Sequence, residues 1–316
     1  MSATQMTIIS LEELVAKEHQ YRKFKELFDF SIVDKELADI ESPANYKGYG
    51  VARIFKCLLL QFMEDLSDRE LERYLSDSNA AKWFCEFNLT ENSPDHTVFS
   101  KIRPKIGTEK LAQIFALFRD QLKAQGYMSE VFTFVDASHL ISKANLRQER
   151  DEARQKKYEK LNNEVLAKVA YDKQARIGCK GGNKFWYGYK KHVSVDIQSG
   201  LINKVAVTAA NVTDAKGFKH VMPSQGAAYA DKGYCTKPAT QAARRKGVHL
   251  AAVKKNNMLE KDHNLDSYYT KIRAPFERVF SQDNKRVRYI GIAKNQFSEV
   301  MRAICFNLKR LCVITA

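Results

Sequence analysis

No two of the six cysteines (Cys57, Cys85, Cys179, Cys235, Cys305, Cys312) stand in a C-x-x-C pair, and the seven histidines form no H-x-x-x-H pattern. That removes the usual zinc spacings. In a chain of 316 residues without a secretory signal it also removes a disulfide framework. The cysteines read instead as small buried hydrophobes. Long apolar runs are missing too. The longest, Cys57-Leu58-Leu59-Leu60, extends weakly to Phe62-Met63, far short of the roughly 20 residues that span a bilayer. The amino terminus, MSATQMTIISLEELVAKEHQ, has no basic start followed by an apolar block. A soluble, cytoplasmic protein without a membrane partner is the expectation. Repeats and low-complexity tracts are absent. What remains is globular: 44% hydrophobic and 11% aromatic residues can fill the core of one large domain or two ordinary ones.

Charge of one sign dominates only part of the chain. Residues 1–125 hold 17 basic and 20 acidic side chains, whereas residues 126–316 hold 35 and 17. The net charge of +15 therefore arises from a surplus of +18 in the second part. A field of that sign attracts polyanions, of which nucleic acid is the commonest in a cell. The bland alternative is a basic surface with no partner.

Residues from about 20 to 125 read as helices. Val51–Met63 is an apolar run of helical length, and Ser67-Asp68-Arg69-Glu70 is a capping box that opens a helix over Asp68–Leu75. Pro94-Asp95-His96-Thr97 reads as a turn, with Thr97 capping a short helix that carries Phe99 and Ile102. The chain restarts at Gly107-Thr108, after which Leu111, Ile114, Phe115, Phe118 and Leu122 recur at helical spacing. Short helices between tight turns suit a helix-turn-helix DNA reader with Thr97–Arg103 as its second helix, and suit a plain helical bundle equally well.

After Gln125-Gly126 the pattern changes. Val131–Val135 is the β-branched and aromatic run of a buried strand, and it ends on Asp136-Ala137-Ser138. A charged, helix-prone tract over 145–174 leads into a Gly- and Lys-rich loop over 178–184. Tyr187–Ile197 and Leu201–Thr208 form a hairpin around Gln198-Ser199-Gly200. A short helix over Asp214–Met222 follows, then a strand over Ala227–Ala230 that ends on Asp231. A helix over Pro238–Lys246, a strand over His249–Val253, a polar loop, a helix around Glu277 and a last helix over Gln296–Leu311 complete the order.

That order predicts an α/β domain whose mixed sheet makes neighbours of two strand-end aspartates, with a later helix presenting Glu277 to them. Three hard oxygen ligands suit Mg²⁺ or Mn²⁺, and two such ions about 3.5–4 Å apart serve phosphodiester chemistry. An aspartate after a strand is more often a turn or helix cap, and Asp196 and Asp214 read that way. Asp136 and Asp231 differ in their surroundings.

Those surroundings carry a resemblance. Phe134-Val135-Asp136-Ala137-Ser138, Tyr229-Ala230-Asp231-Lys232-Gly233-Tyr234 and Ile272-Arg273-Ala274-Pro275-Phe276-Glu277-Arg278-Val279-Phe280 resemble the three catalytic blocks of bacterial insertion-sequence DDE transposases of the insertion-sequence four/five-like superfamily. Gly188-Tyr189-Lys190-Lys191-His192-Val193 and Ala210-Asn211-Val212-Thr213-Asp214 are similar to the family's hairpin and the loop after it. Leu66-Ser67-Asp68-Arg69-Glu70-Leu71 and Pro94-Asp95-His96-Thr97-Val98-Phe99-Ser100 are similar to its helical amino-terminal domain. The resemblance covers nearly all of residues 20–312.

The resemblance implies a helical domain over 1–125 that recognises DNA ends, followed over 126–316 by a ribonuclease-H-like catalytic domain with a charged helical insertion at about 145–175. It implies that Asp136, Asp231 and Glu277 hold two divalent ions, Mg²⁺ or Mn²⁺. It implies an arginine four residues before the glutamate, matched by Arg273, and a lysine about seven after it. Position 284 is Asn and Lys285 stands one residue later, with Arg278 and Arg286 as nearby alternatives. Pro275 suits the first turn of the helix bearing Glu277, which would leave Arg273 just outside it, near the positive end of its dipole. The implied reaction cuts double-stranded DNA at the element's terminal inverted repeats and joins the 3′-OH to target DNA, with a homo-oligomer assembled on the DNA. A nuclease of the same fold or a non-catalytic DNA-binding regulator are the alternatives. Lys101 and Arg103 are the side chains through which Thr97–Arg103 would read bases. Arg154, Lys156, Lys157, Lys160, Lys180 and Lys184 could follow the backbone. Trp186 reads either as part of that surface or, more simply, as a hairpin core aromatic.

Overall fold

The computed structural model describes residues 9–40, 48–144, 162–180, 184–255, 258, 261–273 and 285–315. The chain divides into two compact units, residues 1–120 with 304–316, and residues 121–303.

The first unit is helical. Its centre is Val51–Met63, where eleven of thirteen residues are buried, so this helix is covered on every side, as its unbroken apolar run requires. Around it lie Gln20–Leu27, Ser31–Leu37, Asp68–Asp77, Asn79–Phe84 and the long element His96–Ala124. Ser67 and Glu70 form the expected capping box. Asp95, not Thr97, caps the helix that follows, because its Oδ1 accepts the Thr97 amide at 2.8 Å. His96–Ala124 is two helices joined at Gly107, whose φ of 66° breaks the helical path, as Gly107-Thr108 suggested. Arg103 is bound inside the unit: its guanidinium grips the Asp68 carboxylate and reaches Gln61 Oε1 at 3.0 Å. The end of the last helix, Ile292–Ile314, belongs here too, with Cys305 Sγ donating to the Leu59 carbonyl and Lys309 to that of Met63.

The second unit is built on a mixed sheet. Its strands are β1 (Phe132–Ile141), β2 (Arg176–Lys180), β3 (Lys184–Asp196), β4 (Ile202–Ala209), β5 (Ala227–Ala230) and β6 (His249–Ala252). β1 is central, antiparallel to β3 and parallel to β5. β4 lies antiparallel beyond β3, β6 parallel beyond β5, and β2 pairs with the first part of β3. The main path β4-β3-β1-β5-β6, antiparallel hairpin on one flank and parallel strands on the other, is the ribonuclease-H-like arrangement. The Gly- and Lys-rich pattern over 178–184 reads as a loop, yet Gly178–Lys180 belong to β2; only the pairing with Lys184–Gly188 reveals the strand.

One face of the sheet carries Val135, Ala228 and Ala230 against Phe218 and Val221 of the helix Asp214–Val221 and Ala239 and Ala243 of the helix Lys237–Arg245. The other carries Leu140, Tyr189 and Val207 with Leu166 of the helix Asn163–Val169. On that second face Gln296 seals the margin of β4: its Oε1 accepts the Val207 amide at 2.7 Å and its Nε2 donates to the Val205 carbonyl at 3.1 Å. Asp196 closes the β3–β4 turn by accepting the Ser199 amide and hydroxyl, the turn role expected of it. Thr213 caps the helix that starts at Asp214.

Candidate active site

Asp136 lies inside β1, not at its end. The strand expected to stop at Val135 runs on to Ile141, because its pairing with β3 continues from Thr133↔Asp196 through Asp136↔Val193 to Ile141↔Gly188. What stops is the neighbour on the other flank. β5 pairs with β1 only from Phe132↔Ala227 to Val135↔Ala230, and Asp136 and Asp231 are the next residue on each chain. Val135 and Ala230 both point into the Phe218 core. Alternation therefore turns Asp136 and Asp231 together onto the opposite face, on strands about 4.8 Å apart. Both are half-buried. Each carboxylate is steadied in the same way, accepting the amide of the residue after it at 2.7 Å (Ala137 for Asp136, Lys232 for Asp231).

The chain leaves β5 through a turn at Lys232–Tyr234, anchored by Tyr234, which is buried against Phe218 with ring centroids 6.0 Å apart. Further along β1, Ile141 directs its own amide and carbonyl away from β3, to the Lys285 carbonyl (2.6 Å) and the Val287 amide (2.9 Å). Between these two partners, Asp136–Leu140 has β3 on one side and no strand on the other among the described residues. Among the described residues the result is a notch in the sheet roughly 16 Å long. The aspartates stand at one end, and Lys285 and Arg286, both exposed, at the other.

Glu277, Arg278 and Pro275 lie outside the described residues, as does the charged tract over 145–161 with Arg154, Lys156, Lys157 and Lys160. Arg273 is the last described residue of a helix over His263–Arg273, in a stretch whose sequence reads as a polar loop. That helix is fixed by Asp262, which accepts the Asn264 and Leu265 amides, and by Asp266, which accepts the Lys254 amide at 2.9 Å. Tyr269 also meets Tyr229 of β5 edge to face. Lys101 is exposed on the helical unit, while Arg103 is engaged with Asp68.

Three further arrangements escaped the sequence. Lys190 holds the Val212 carbonyl (2.9 Å) and the Asp214 carboxylate (2.8 Å), tying β3 to the loop after β4. Lys191, which faces Ser138 on the Asp136 side of the sheet, forms a buried ion pair with Glu299 of the last helix at 3.0 Å. His192 is buried beside Gly217, with Nε2 on Thr208, and burial holds it down to about 4. The signal was present: Lys190-Lys191-His192 puts three polar side chains in succession into a central strand, a local inconsistency of the kind functional sites carry.

The donor set fits a divalent metal. Two carboxylates side by side supply the hard oxygens that Mg²⁺ and Mn²⁺ prefer. On the same face, two residues along β1, the buried Ser138 hydroxyl has no hydrogen-bond partner among the described residues.

Residues 130–308 match the family described as Transposase DDE domain, and residues 9–105 match the one described as Transposase domain (DUF772). Among solved structures, the chain is similar to the piggyBac transposase in its synaptic complex with hairpin DNA. The identity is 8%, over 94% of this chain and 76% of that one, with a TM-score of 0.42.

Proposed function

The chain belongs to the transposase DDE domain family, and from that premise we propose that it cuts DNA at the terminal inverted repeats of an insertion sequence and joins the freed 3′-OH to target DNA. Membership makes it a DDE transposase that depends on a divalent metal. The observation that carries the finer reading is the side-by-side placement of Asp136 and Asp231 where β5 ends against β1.

Asp136, Asp231 and Glu277 would hold two Mg²⁺ (or Mn²⁺) ions, which when bound activate the attacking oxygen and stabilise the leaving one. The chain's own groups do the rest. The Ala137 and Lys232 amides orient the two carboxylates before any substrate arrives, so no reorganisation is needed at the moment of reaction. Lys285, exposed at the far end of the notch, with Arg273 and Arg278 from the segment that precedes it, would hold DNA phosphates and align the scissile bond. In the helical unit Lys101 is the side chain available to a base edge; Arg103 would support its helix through Asp68. A homo-oligomer on the paired ends and a place in the bacterial cytoplasm complete the proposal.

The test is purified protein with labelled element ends, a target duplex and Mg²⁺. The proposal expects cleavage at the ends and a joined product. Cleavage without joining would mark a nuclease, and binding without cleavage a regulator.

A further inference from the structure

Between Asp231 and Glu260 the chain carries seven basic residues and no acidic one. Four of them, Lys237, Arg244, Arg245 and Lys246, belong to the helix Lys237–Arg245 or to its carboxy-terminal cap. The buried side of this helix is taken up by Ala239 and Ala243. The flank beside it lines a groove of about 380 Å³, with Lys237, Gln241 and Arg244 along the helix and Cys235 and Met258 completing the lining.

The groove has a defined place in the sheet. β5 and β6 run parallel. Cys235 comes from the chain that leaves β5 and Met258 from the chain that leaves β6, and their sulfur atoms meet at 3.5 Å. The groove therefore opens at the carboxy ends of the parallel strands. Asp136 and Asp231 stand at the same edge, which is where open α/β sheets take their ligands.

Its chemistry is one-sided. Lys237, Gln241 and Arg244 follow one another at spacings of four and three residues, so they form a single stripe on the helix. All three are exposed, neither cation has an anionic partner among the described residues, and among those residues no carboxylate lines the groove. Two cations with an amide between them suit the oxygen-rich, negative edge of a sugar-phosphate strand. Seven residues of helix separate Lys237 from Arg244, about 10.5 Å of rise. That is about three nucleotide steps at ~3.4 Å each.

We propose that this groove holds a short run of phosphates on one DNA strand beside the scissile bond. Lys237 and Arg244 contact phosphates about three steps apart, and Gln241 donates to an oxygen between them. The inference rests on the reading of the chain as a transposase acting on DNA. Asp231 and Lys237 are joined by at most about 21 Å of chain. The held phosphates therefore lie within about nine nucleotide steps of the cut.

The test is a set of duplexes, element ends and targets, each with one methylphosphonate that removes a single phosphate charge within that range. With the unaltered protein, two or three positions on one strand should each weaken binding about three- to ten-fold. Whether they fall in the element end or in the target identifies the strand held. In Lys237→Ala/Arg244→Ala those positions should cease to matter, while methylphosphonates elsewhere keep their effect. On unmodified duplex this variant should bind about ten-fold more weakly in about 0.1 M salt, with a slope of log affinity against log salt smaller by about 2. Lys237→Arg/Arg244→Lys should restore both. Cys235 gives a readout that leaves the two cations in place. With Cys179 and Cys312 replaced by Ser, its thiol should exchange into disulfide-activated tethers at those same phosphates. The groove is excluded if the alanine variant stays as sensitive as the unaltered protein to every methylphosphonate, or if Cys235 couples equally at all positions. Failure of the unaltered protein to bind or cleave any element end would instead overturn the reading beneath it.

Discussion

The Lys191 ammonium lies 3.0 Å from the Glu299 carboxylate, and both side chains are more than nine-tenths buried. The pair joins β3, next to Ser138, to the last helix across the face that carries Asp136. Such a pair adds little net stability over an apolar contact, but breaking it strands a charge. Glu299→Gln should therefore cost about 3–5 kcal/mol in chemical denaturation, and the double change Lys191→Met/Glu299→Leu should recover most of that. Equal stability of the single variant and the unaltered protein would show that the pair is not held as described.

Asp136→Asn, Asp231→Asn and Glu277→Gln should each abolish Mg²⁺-dependent cleavage while leaving DNA binding within about two-fold, since each removes one ligand charge from the proposed two-ion site. Gel-shift and cleavage assays on the same preparations check this. A variant that cuts at near the original rate removes its residue from the triad.

His192 makes folding sensitive to acid. Burial holds the imidazole neutral down to about 4 in the folded chain, against about 6.5 when unfolded. The unfolded chain therefore binds the extra proton between these values. The contribution is fully present above about pH 6.5 and is lost as pH falls through about 4, on the order of 3 kcal/mol in all. Denaturation midpoints followed over that range should fall steeply, and less so in His192→Gln. Gly217→Ala should destabilise at any pH by about 1–3 kcal/mol, because its new methyl would stand 2.1 Å from the His192 ring.

Lys101 and Arg103, two residues apart, should behave differently. Arg103→Ala strips the bidentate partner from Asp68 and should lower the melting point of the protein. Lys101→Ala, at an exposed position, should leave melting unchanged and reduce preference for element ends over random duplex. A Lys101 variant with unaltered preference would mean that the helical unit does not read sequence through this residue.

Much of the second unit was legible because its strands are apolar or alternating and end on turn-forming residues. Ala227–Ala230 and the hairpin around Gly200 are examples. The capping box at Ser67 fixed a helix start from four letters. What could not be read is the extent of β1. The polar run after Val135 contains Asp136, Ser138 and His139 and looks like a loop. It is a strand only because β3, more than fifty residues later, supplies partners for it. The same limit hid β2 and the helix over His263–Arg273, whose supports are Lys254 and Tyr229 rather than its own periodicity. The site's identity was carried by the segments around Asp136 and Asp231, and their adjacency by the place where β5 stops.

Gln296 decides what can pair with the margin of β4. An unclosed sheet margin invites a neighbour to zip on as one more strand. Here one amide satisfies both the donor and the acceptor of β4 at Val207 and Val205, acting as a one-residue terminal strand on loan from a helix. Another strand that docked on this margin would find the Val205 carbonyl and the Val207 amide already taken, so backbone zippering is blocked there by a side chain.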